Sequence, residues 1–356
     1  MPRLVVLDAV GAAFVDQLER AWGDGDAVLP LDPRLPGPAR AALLTAARLD
    51  EPVADGDALV VATSGTSGQP KLAVLTHAAV GASALATSAR LQVDPGSDRW
   101  LACLPLAHVG GLSVVTRALA TSTPCTVQSH FDAAAVEQAA ADGCTLTSLV
   151  PTALARIDPS HFRAILLGGQ APPADRPAHV VATYGMTETG SGVVYDGVPL
   201  AGVDLRVDDG GQIHVRAPML LRAYRDGTDP KDVDGWFPTG DHGALRDGVL
   251  EVHGRADDLI ITGGENVWPT VVERALRTHP AVADVAVVGR PDAEWGERVV
   301  AVVVPRDRTA PPTLAALRAH VKAVLPPYAA PAALEVVETL PRTASGKVRR
   351  SQLSGG

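Results

Sequence analysis

Thr63-Ser64-Gly65-Thr66-Ser67-Gly68-Gln69-Pro70-Lys71 follows the apolar run Asp57-Ala58-Leu59-Val60-Val61-Ala62. The run reads as a buried strand, so the hydroxyls and glycines leave its end as a loop. Gly65 and Gly68 let backbone N–H groups approach anionic oxygens. Thr63, Ser64, Thr66 and Ser67 add neutral donors, and Lys71 supplies a movable positive charge, a composition suited to wrapping phosphates. A Walker A loop ends in Gly-Lys-Ser/Thr, whereas here Pro70 precedes the lysine and Leu72 follows it, which argues against an ordinary P-loop NTPase. Taken alone, the stretch leaves open a polar loop with no ligand.

Outward from this loop, helical stretches at Ala39–Leu49, Ala133–Ala141 and Thr270–Thr278 alternate with short apolar runs at Ala58–Ala62, Thr145–Leu149, Ala164–Leu167 and Val180–Thr183. Strands separated by helices predict a layered α/β core with largely parallel pairing. Pro and Gly then punctuate residues 202–251, where runs such as Gln212-Ile213-His214-Val215-Arg216 predict antiparallel strands closing a large domain. Val271–Leu276, Val285–Val288, Val299–Val304 and Leu314–Val324 read as helix, strand, strand and helix, a small α+β module. The expected division is a domain of residues 1–256 and a second of residues 257–356.

The 356 residues carry a formal net charge of −9, which offers no basic surface for nucleic acid or an anionic membrane. An anionic nucleotide must then be held by local charges. Cys103, Cys125 and Cys144 are three and widely spaced, which disfavours a disulfide framework or a zinc site and points to reduced thiols in the cytoplasm. The opening residues Met1–Asp8 meet an acid too early for a signal peptide, and no apolar run reaches the ~20 residues of a membrane span. Lysine occurs only at Lys71, Lys231, Lys322 and Lys347. Two of these fall in candidate motifs, and Lys231 and Lys322 are expected on the solvated surface.

Four further segments follow the loop in order: Tyr184-Gly185-Met186-Thr187-Glu188-Thr189, Trp236-Phe237-Pro238-Thr239-Gly240-Asp241, Gly254-Arg255-Ala256-Asp257-Asp258 and Pro341-Arg342-Thr343-Ala344-Ser345-Gly346-Lys347. Together they resemble the adenylate-forming superfamily of acyl-CoA ligases, peptide-synthetase adenylation domains and luciferases, from about Leu59 to the C-terminus. The resemblance implies ATP, Mg2+ and coenzyme A as partners of a small carboxylic acid. It implies that Thr63, Ser64, Gly65, Thr66, Ser67, Gly68 and Lys71 hold the outer phosphates, Thr187 the α-phosphate, and Glu188 the Mg2+. Tyr184 and Gly168, Gly169 and Gln170 are expected at adenine, and Asp241 and Arg255 at ribose. Lys347 is expected to bridge the substrate carboxylate and the α-phosphate.

The resemblance further implies that the small domain swivels at Asp257, bringing Gly263 and Gly264 to the pantetheine arm of coenzyme A; a plain turn explains these glycines as well. Family members carry more structure before the phosphate loop, which this chain reaches at residue 63. A shortened N-terminal region is expected, and a homodimer is one way to cover the surface it exposes.

Leu104-Pro105-Leu106-Ala107-His108-Val109-Gly110-Gly111-Leu112 matches the segment lining the acyl pocket, with His108 in the place of its gating residue. This segment through Arg117, together with Ser148–Thr152 and Tyr195–Pro199, looks most like the o-succinylbenzoate-CoA ligases of menaquinone biosynthesis, actinobacterial short forms included. Other aryl- or acyl-CoA ligases and a stand-alone domain loading a carrier protein are the alternatives. A dicarboxylate needs a second anion-binding group, for which Arg117 is a candidate; the competing expectation for Arg117 is a charge on a helix surface.

Overall fold

The computed structural model describes residues 1–63, 70–173, 175–342 and 347–353. The chain folds as two compact units, one of Met1–Arg206 with His214–Pro238 and a second of Val207–Ile213 with Thr239–Gly356.

Two sheets carry the first unit. One runs in the order Leu4–Leu7, Ala27–Pro30, Asp57–Ala62, Leu72–Thr76, Ala223–Tyr224. Its first three strands are parallel and the last two antiparallel. The other runs Val198–Pro199, Ser191–Tyr195, Val180–Met186, Ala164–Leu167, Leu146–Leu149, Trp100–Ala102, Cys125–Val127. Its five strands from Val180–Met186 onward are parallel, and an antiparallel pair finishes one edge. Leu146–Leu149 and Ala164–Leu167 are buried at every residue, which is why they read as unbroken runs and not as alternation. The fold class is therefore α/β, as the alternation of elements predicts.

Helices His77–Leu91 and Val109–Ala120 pack on each other, the first against strands of both sheets and the second against the seven-stranded sheet. His77–Leu91 buries Val80, Ser83, Ala84, Thr87, Ser88 and Leu91, one stripe at helical spacing. The Thr76 hydroxyl caps it by accepting from Ala79 N at 3.1 Å, a contact worth about 1 kcal/mol. The small side chains of this stripe allow a helix to lie close between two layers.

In the second unit the long hairpin Val282–Asp292 and Gly296–Pro305 forms the spine of a sheet completed by Ala333–Val336, Ile260–Thr262 and Glu265–Val267. Val285, Val287, Val299, Ala301 and Val303 face helices Pro269–Arg277 and Leu314–Lys322 through Val272, Leu276, Leu317 and Val321. The alternate residues Ala286, Val288, Val300 and Val302 form a second cluster with Leu340, against which Val348 and Leu353 pack. Both faces of the hairpin are thus covered. Residues from Thr239 onward belong to this unit, so the division falls earlier than the one expected at 256/257. The reason is that Pro269–Arg277 docks on the strand Val249–Arg255: Arg274 Nη1 donates to Glu251 Oε1 at 3.2 Å, and Trp268 lies 5.1 Å from the His242 ring.

The thiols sit in or beside the parallel sheet. Burial pushes Cys103 up to about 11 and Cys125 up to about 12, and raises Cys144. Raised values leave little thiolate near neutrality. Iodoacetamide at pH 8 is expected to leave Cys103 and Cys125 unlabelled in the native protein and to label them in denaturant, as peptide mass spectrometry would read.

Candidate active site

In the first unit the phosphate-loop residues Ser64, Gly65, Thr66, Ser67 and Gly68 lie outside the described residues. The neck of the loop is described. Thr63 N donates to Lys71 O at 2.9 Å, and Ala62 pairs with Leu72 in the antiparallel ladder. The loop therefore joins two strands and does not open a helix, so it lacks the helix N-terminus on which a Walker A loop relies. Lys71 is exposed, with Nζ 5.3 Å from the centroid of the Tyr224 ring.

Gly168, Gly169 and Gln170 leave the C-terminal end of Ala164–Leu167, and Tyr184 lies near the same end of the neighbouring parallel strand Val180–Met186. Leu167 is in register with Ala182, which sets these residues at one edge of the sheet, where parallel α/β sheets present ligands. Gly168 is held by donation from its N to Leu149 O at 3.1 Å, and Thr183 Oγ1 donates to Leu167 O at 3.2 Å. At Gly185 a Cβ would lie 2.2 Å from Ser191 O, so the Tyr-Gly-Met segment tolerates only glycine there.

The strand then turns into a short 3-10 helix, Thr187–Thr189, where the Thr189 hydroxyl accepts from Met186 N at 3.0 Å. Glu188 is gripped twice: its carbonyl accepts from Leu221 N at 2.7 Å, and its Oε1 accepts from the Tyr224 hydroxyl at 2.9 Å. The half-buried Glu188 carboxylate, which follows Thr187 in the same 3-10 turn, is an oxygen donor. It fits Mg2+, which takes one or two carboxylates and completes its shell with phosphate and water.

His108 occupies the N-cap position of Val109–Ala120, and its carbonyl accepts from Leu112 N at 2.9 Å. Arg117, on the same helix, is 1% exposed and is not a surface charge. The helix is covered on both sides, and the guanidinium lies 4.7 Å over the Trp100 ring while Nη2 donates to Ser191 Oγ at 3.1 Å. Nε and Nη1 have no hydrogen-bond partner among the described residues, and no carboxylate there pairs with it. Desolvation pulls its pKa down. Arg117 borders a cavity whose lining includes Ser83, Val109, Ser113, Thr116, Gly190 and Met219.

Lys231 is likewise not a solvated surface charge. Its Nζ donates to Leu221 O and Arg222 O at 2.9 Å each and pairs with Asp229 at 2.7 Å, bracing the segment that holds Glu188. Tyr224, Trp100 and Ser191 were not legible as site residues, because each acquires its partner only through the folding of distant strands. An aromatic residue shortly after an Arg, as in Arg222-Ala223-Tyr224, carries no specific signal.

In the second unit Asp241 and Arg255 are cross-strand partners, with Arg255 Nε 3.5 Å from Asp241 Oδ1. The Thr239 hydroxyl donates to Ile213 O at 2.8 Å and accepts from Asp241 N at 3.1 Å, which fixes the start of this pair. Asp257 is exposed in the turn Ala256–Asp258. Gly263 and Gly264, at φ 59° and 83°, form the two-residue connection between Ile260–Thr262 and Glu265–Val267. Paired positive φ values are what a type I′ hairpin turn requires, so local geometry alone accounts for both glycines. Thr343–Gly346 lie outside the described residues; Lys347 is exposed and flanked by the bridge between Arg342 and Val348.

Residues 8–224 match the model of the AMP-binding enzyme family, and residues 271–347 match that of the AMP-binding enzyme C-terminal domain. A Mycobacterium tuberculosis protein named as a probable 2-succinylbenzoate–CoA ligase is 45% identical over 370 residues, covering 96% of this chain and 94% of its own. The structure of o-succinylbenzoate CoA synthetase from Bacillus subtilis in complex with the acyl-adenylate intermediate OSB-AMP superposes with a TM-score of 0.86 at 28% identity, over 99% of this chain and 87% of that one. The same enzyme in complex with ATP and magnesium ion gives a TM-score of 0.85 at 28% identity, over 98% and 88%. The chain belongs to the AMP-binding enzyme family and resembles its 2-succinylbenzoate–CoA ligases over almost its whole length.

Proposed function

We propose that this protein is an AMP-forming acid–CoA ligase that adenylates 2-succinylbenzoate with ATP and transfers the acyl group to coenzyme A, releasing pyrophosphate and then AMP. The observation that carries the choice of acid is Arg117, a buried guanidinium with two nitrogens that lack a hydrogen-bond partner among the described residues, on a side chain that borders a water-sized cavity. A substrate with a second carboxylate supplies the anion such a group lacks. The likeness to named 2-succinylbenzoate–CoA ligases supports the same acid.

A carboxylate is a poor electrophile, and joining it to AMP makes an anhydride with a good leaving group. The difficulty is bringing two anions together, so the work of the protein is to align them and neutralise charge at the α-phosphate. Thr63, Ser64, Gly65, Thr66, Ser67, Gly68 and Lys71 would hold the outer phosphates and the departing pyrophosphate. Thr187 would donate to the α-phosphate, and Lys347 would bridge it to the attacking carboxylate. Mg2+, held by Glu188, would supply charge neutralisation on the phosphates. Tyr184 with Gly168, Gly169 and Gln170 would bind adenine, and Asp241 would accept from the ribose hydroxyls beside Arg255. His108 would border the acyl group.

Thioester formation needs a path for a thiol more than acid–base apparatus, because the adenylate is already activated. Rotation at Asp257 would withdraw Lys347 and present the Gly263-Gly264 turn to the pantetheine arm, where the lack of side chains leaves room. Reduced thiols and a supply of ATP and coenzyme A fit a cytoplasmic setting. Among the described residues no helix is long and apolar enough to cross a membrane.

Lys347→Ala should slow adenylate formation, read as pyrophosphate exchange, by roughly 10²–10³-fold, the usual cost of losing one preorganised charge donor. It should leave thioester formation from supplied acyl-AMP largely intact; equal loss in both steps would assign the lysine a structural role. Asp257→Pro fixes φ and should spare pyrophosphate exchange while blocking coenzyme A transfer. Unchanged steady-state turnover in that variant removes the hinge. Arg117→Met, which keeps an apolar stem, should raise KM for 2-succinylbenzoate about tenfold or more, from the loss of a charge-assisted bond worth about 1.5–3 kcal/mol. A monocarboxylic aryl acid should be affected far less. Equal weakening of both acids would place the succinyl carboxylate elsewhere, and no turnover of 2-succinylbenzoate by the unmodified protein would overturn the choice of acid.

A further inference from the structure

Tyr224 stands between two charged groups of the first unit that the proposed reaction sets on the nucleotide. Its hydroxyl donates to Glu188 Oε1 at 2.9 Å, and its ring centroid is 5.3 Å from Lys71 Nζ, inside the ~6 Å reach of a cation–π contact. The backbone around it is closely fixed. Ala223 pairs with Val74 and Tyr224 with Ala73, while Arg222 N and Arg225 N donate to Val74 O and Leu72 O at 2.8 Å each. Leu221 N donates to Glu188 O at 2.7 Å. One short segment therefore grips Glu188 at both its carbonyl and its carboxylate, and sets an aromatic face beside the lysine that ends the phosphate loop.

We propose that Tyr224 is a positioning residue that couples the metal-binding carboxylate to the phosphate-loop lysine. Its hydroxyl commits Oε1 of Glu188 and so turns Oε2 toward a divalent cation, while its ring holds the Lys71 ammonium near the same nucleotide phosphates. The inference rests on Glu188 as the Mg2+ ligand. Hydrogen bonds to a ligating carboxylate set its orientation, and their loss costs about 10–100-fold in metal affinity. The ring and the hydroxyl act on different groups, so their contributions separate experimentally.

The test measures Mn2+ binding by electron paramagnetic resonance in the presence of a non-hydrolysable ATP analogue, and binding of the same analogue in EDTA by calorimetry. The full chain is compared with Tyr224→Phe, Tyr224→Leu and Glu188→Gln. Tyr224→Phe should weaken Mn2+ binding about 10–100-fold and leave analogue binding in EDTA unchanged. Tyr224→Leu should weaken both, the second by about two- to fivefold through loss of the ring under Lys71. Unchanged Mn2+ affinity in Tyr224→Phe, with loss in Glu188→Gln, overturns the coupling. Equal loss of Mn2+ and metal-free analogue binding in Tyr224→Phe also overturns it, since that marks a general disturbance of the site. Unchanged Mn2+ affinity in Glu188→Gln instead overturns the assignment of Glu188 as the ligand.

Discussion

The ion pair between Arg222 and Asp57 fixes the part of the first unit on which the candidate site depends. The Asp57 carboxylate is buried and accepts from Arg222 Nε and Nη2 at 2.8 Å each, and from Ala54 N at 3.0 Å. A buried carboxylate without such partners would be costly, and a bidentate guanidinium satisfies both of its oxygens in one plane. Arg222 remains partly exposed, so the contact satisfies a buried acid without burying a second full charge. The pair anchors Ala223–Tyr224 along Leu72–Thr76. Arg225 extends the anchor, donating to the carbonyls of Ala47, Arg48, Glu51 and Pro52 at and beyond the end of the helix Gly37–Ala47. The register of this one segment carries Tyr224 to Glu188 and to Lys71.

Set against this pair, Arg117 is an exception in the first unit, a buried cation with two guanidinium nitrogens that lack a hydrogen-bond partner among the described residues. Buried acids elsewhere are matched, Asp57 by Arg222 and Asp98 by Arg163, whose Nη2 donates at 2.7 Å. Arg117 has a ring beneath it and one serine hydroxyl beside it, and desolvation is the largest influence on its charge. Such an arrangement lowers the stability of the unliganded protein relative to a fully paired core. On the proposed reading, an incoming carboxylate would supply the missing partner, and part of the cost of burying the cation would reappear as discrimination between a diacid and a monoacid.

Much of the scaffold was legible because its signals are local. The helix Ala133–Ala141 and the strands Ala164–Leu167 and Gln212–Arg216 lie where period and punctuation place them. The motif segments were also legible, since each carries its residue types within a few positions. Arg117 and Lys231 were not. Whether a charged residue on a helix or loop meets water depends on what packs over it, and here that is a sheet or a turn remote in sequence. Arg117 reaches Ser191 across 74 positions, and Tyr224 reaches Glu188 across 36. No periodicity in either segment reports those meetings.

The second unit places a different constraint on any swivel at Asp257. Arg350, three positions beyond Lys347, donates through Nη1 to Asp258 Oδ2 and through Nη2 to Glu273 Oε1, both at 2.8 Å. Glu273 is buried on the helix Pro269–Arg277 and also accepts from Val287 N at 2.9 Å in the central hairpin. One guanidinium thus joins the turn Ala256–Asp258, the helix Pro269–Arg277 and the C-terminal segment. Arg349 N adds a bond to Pro341 O at 2.8 Å, and Val348 and Leu353 pack on the outer face of the same sheet. With Val348 to Leu353 held to the residues that follow Asp257, a rotation there would carry these residues together.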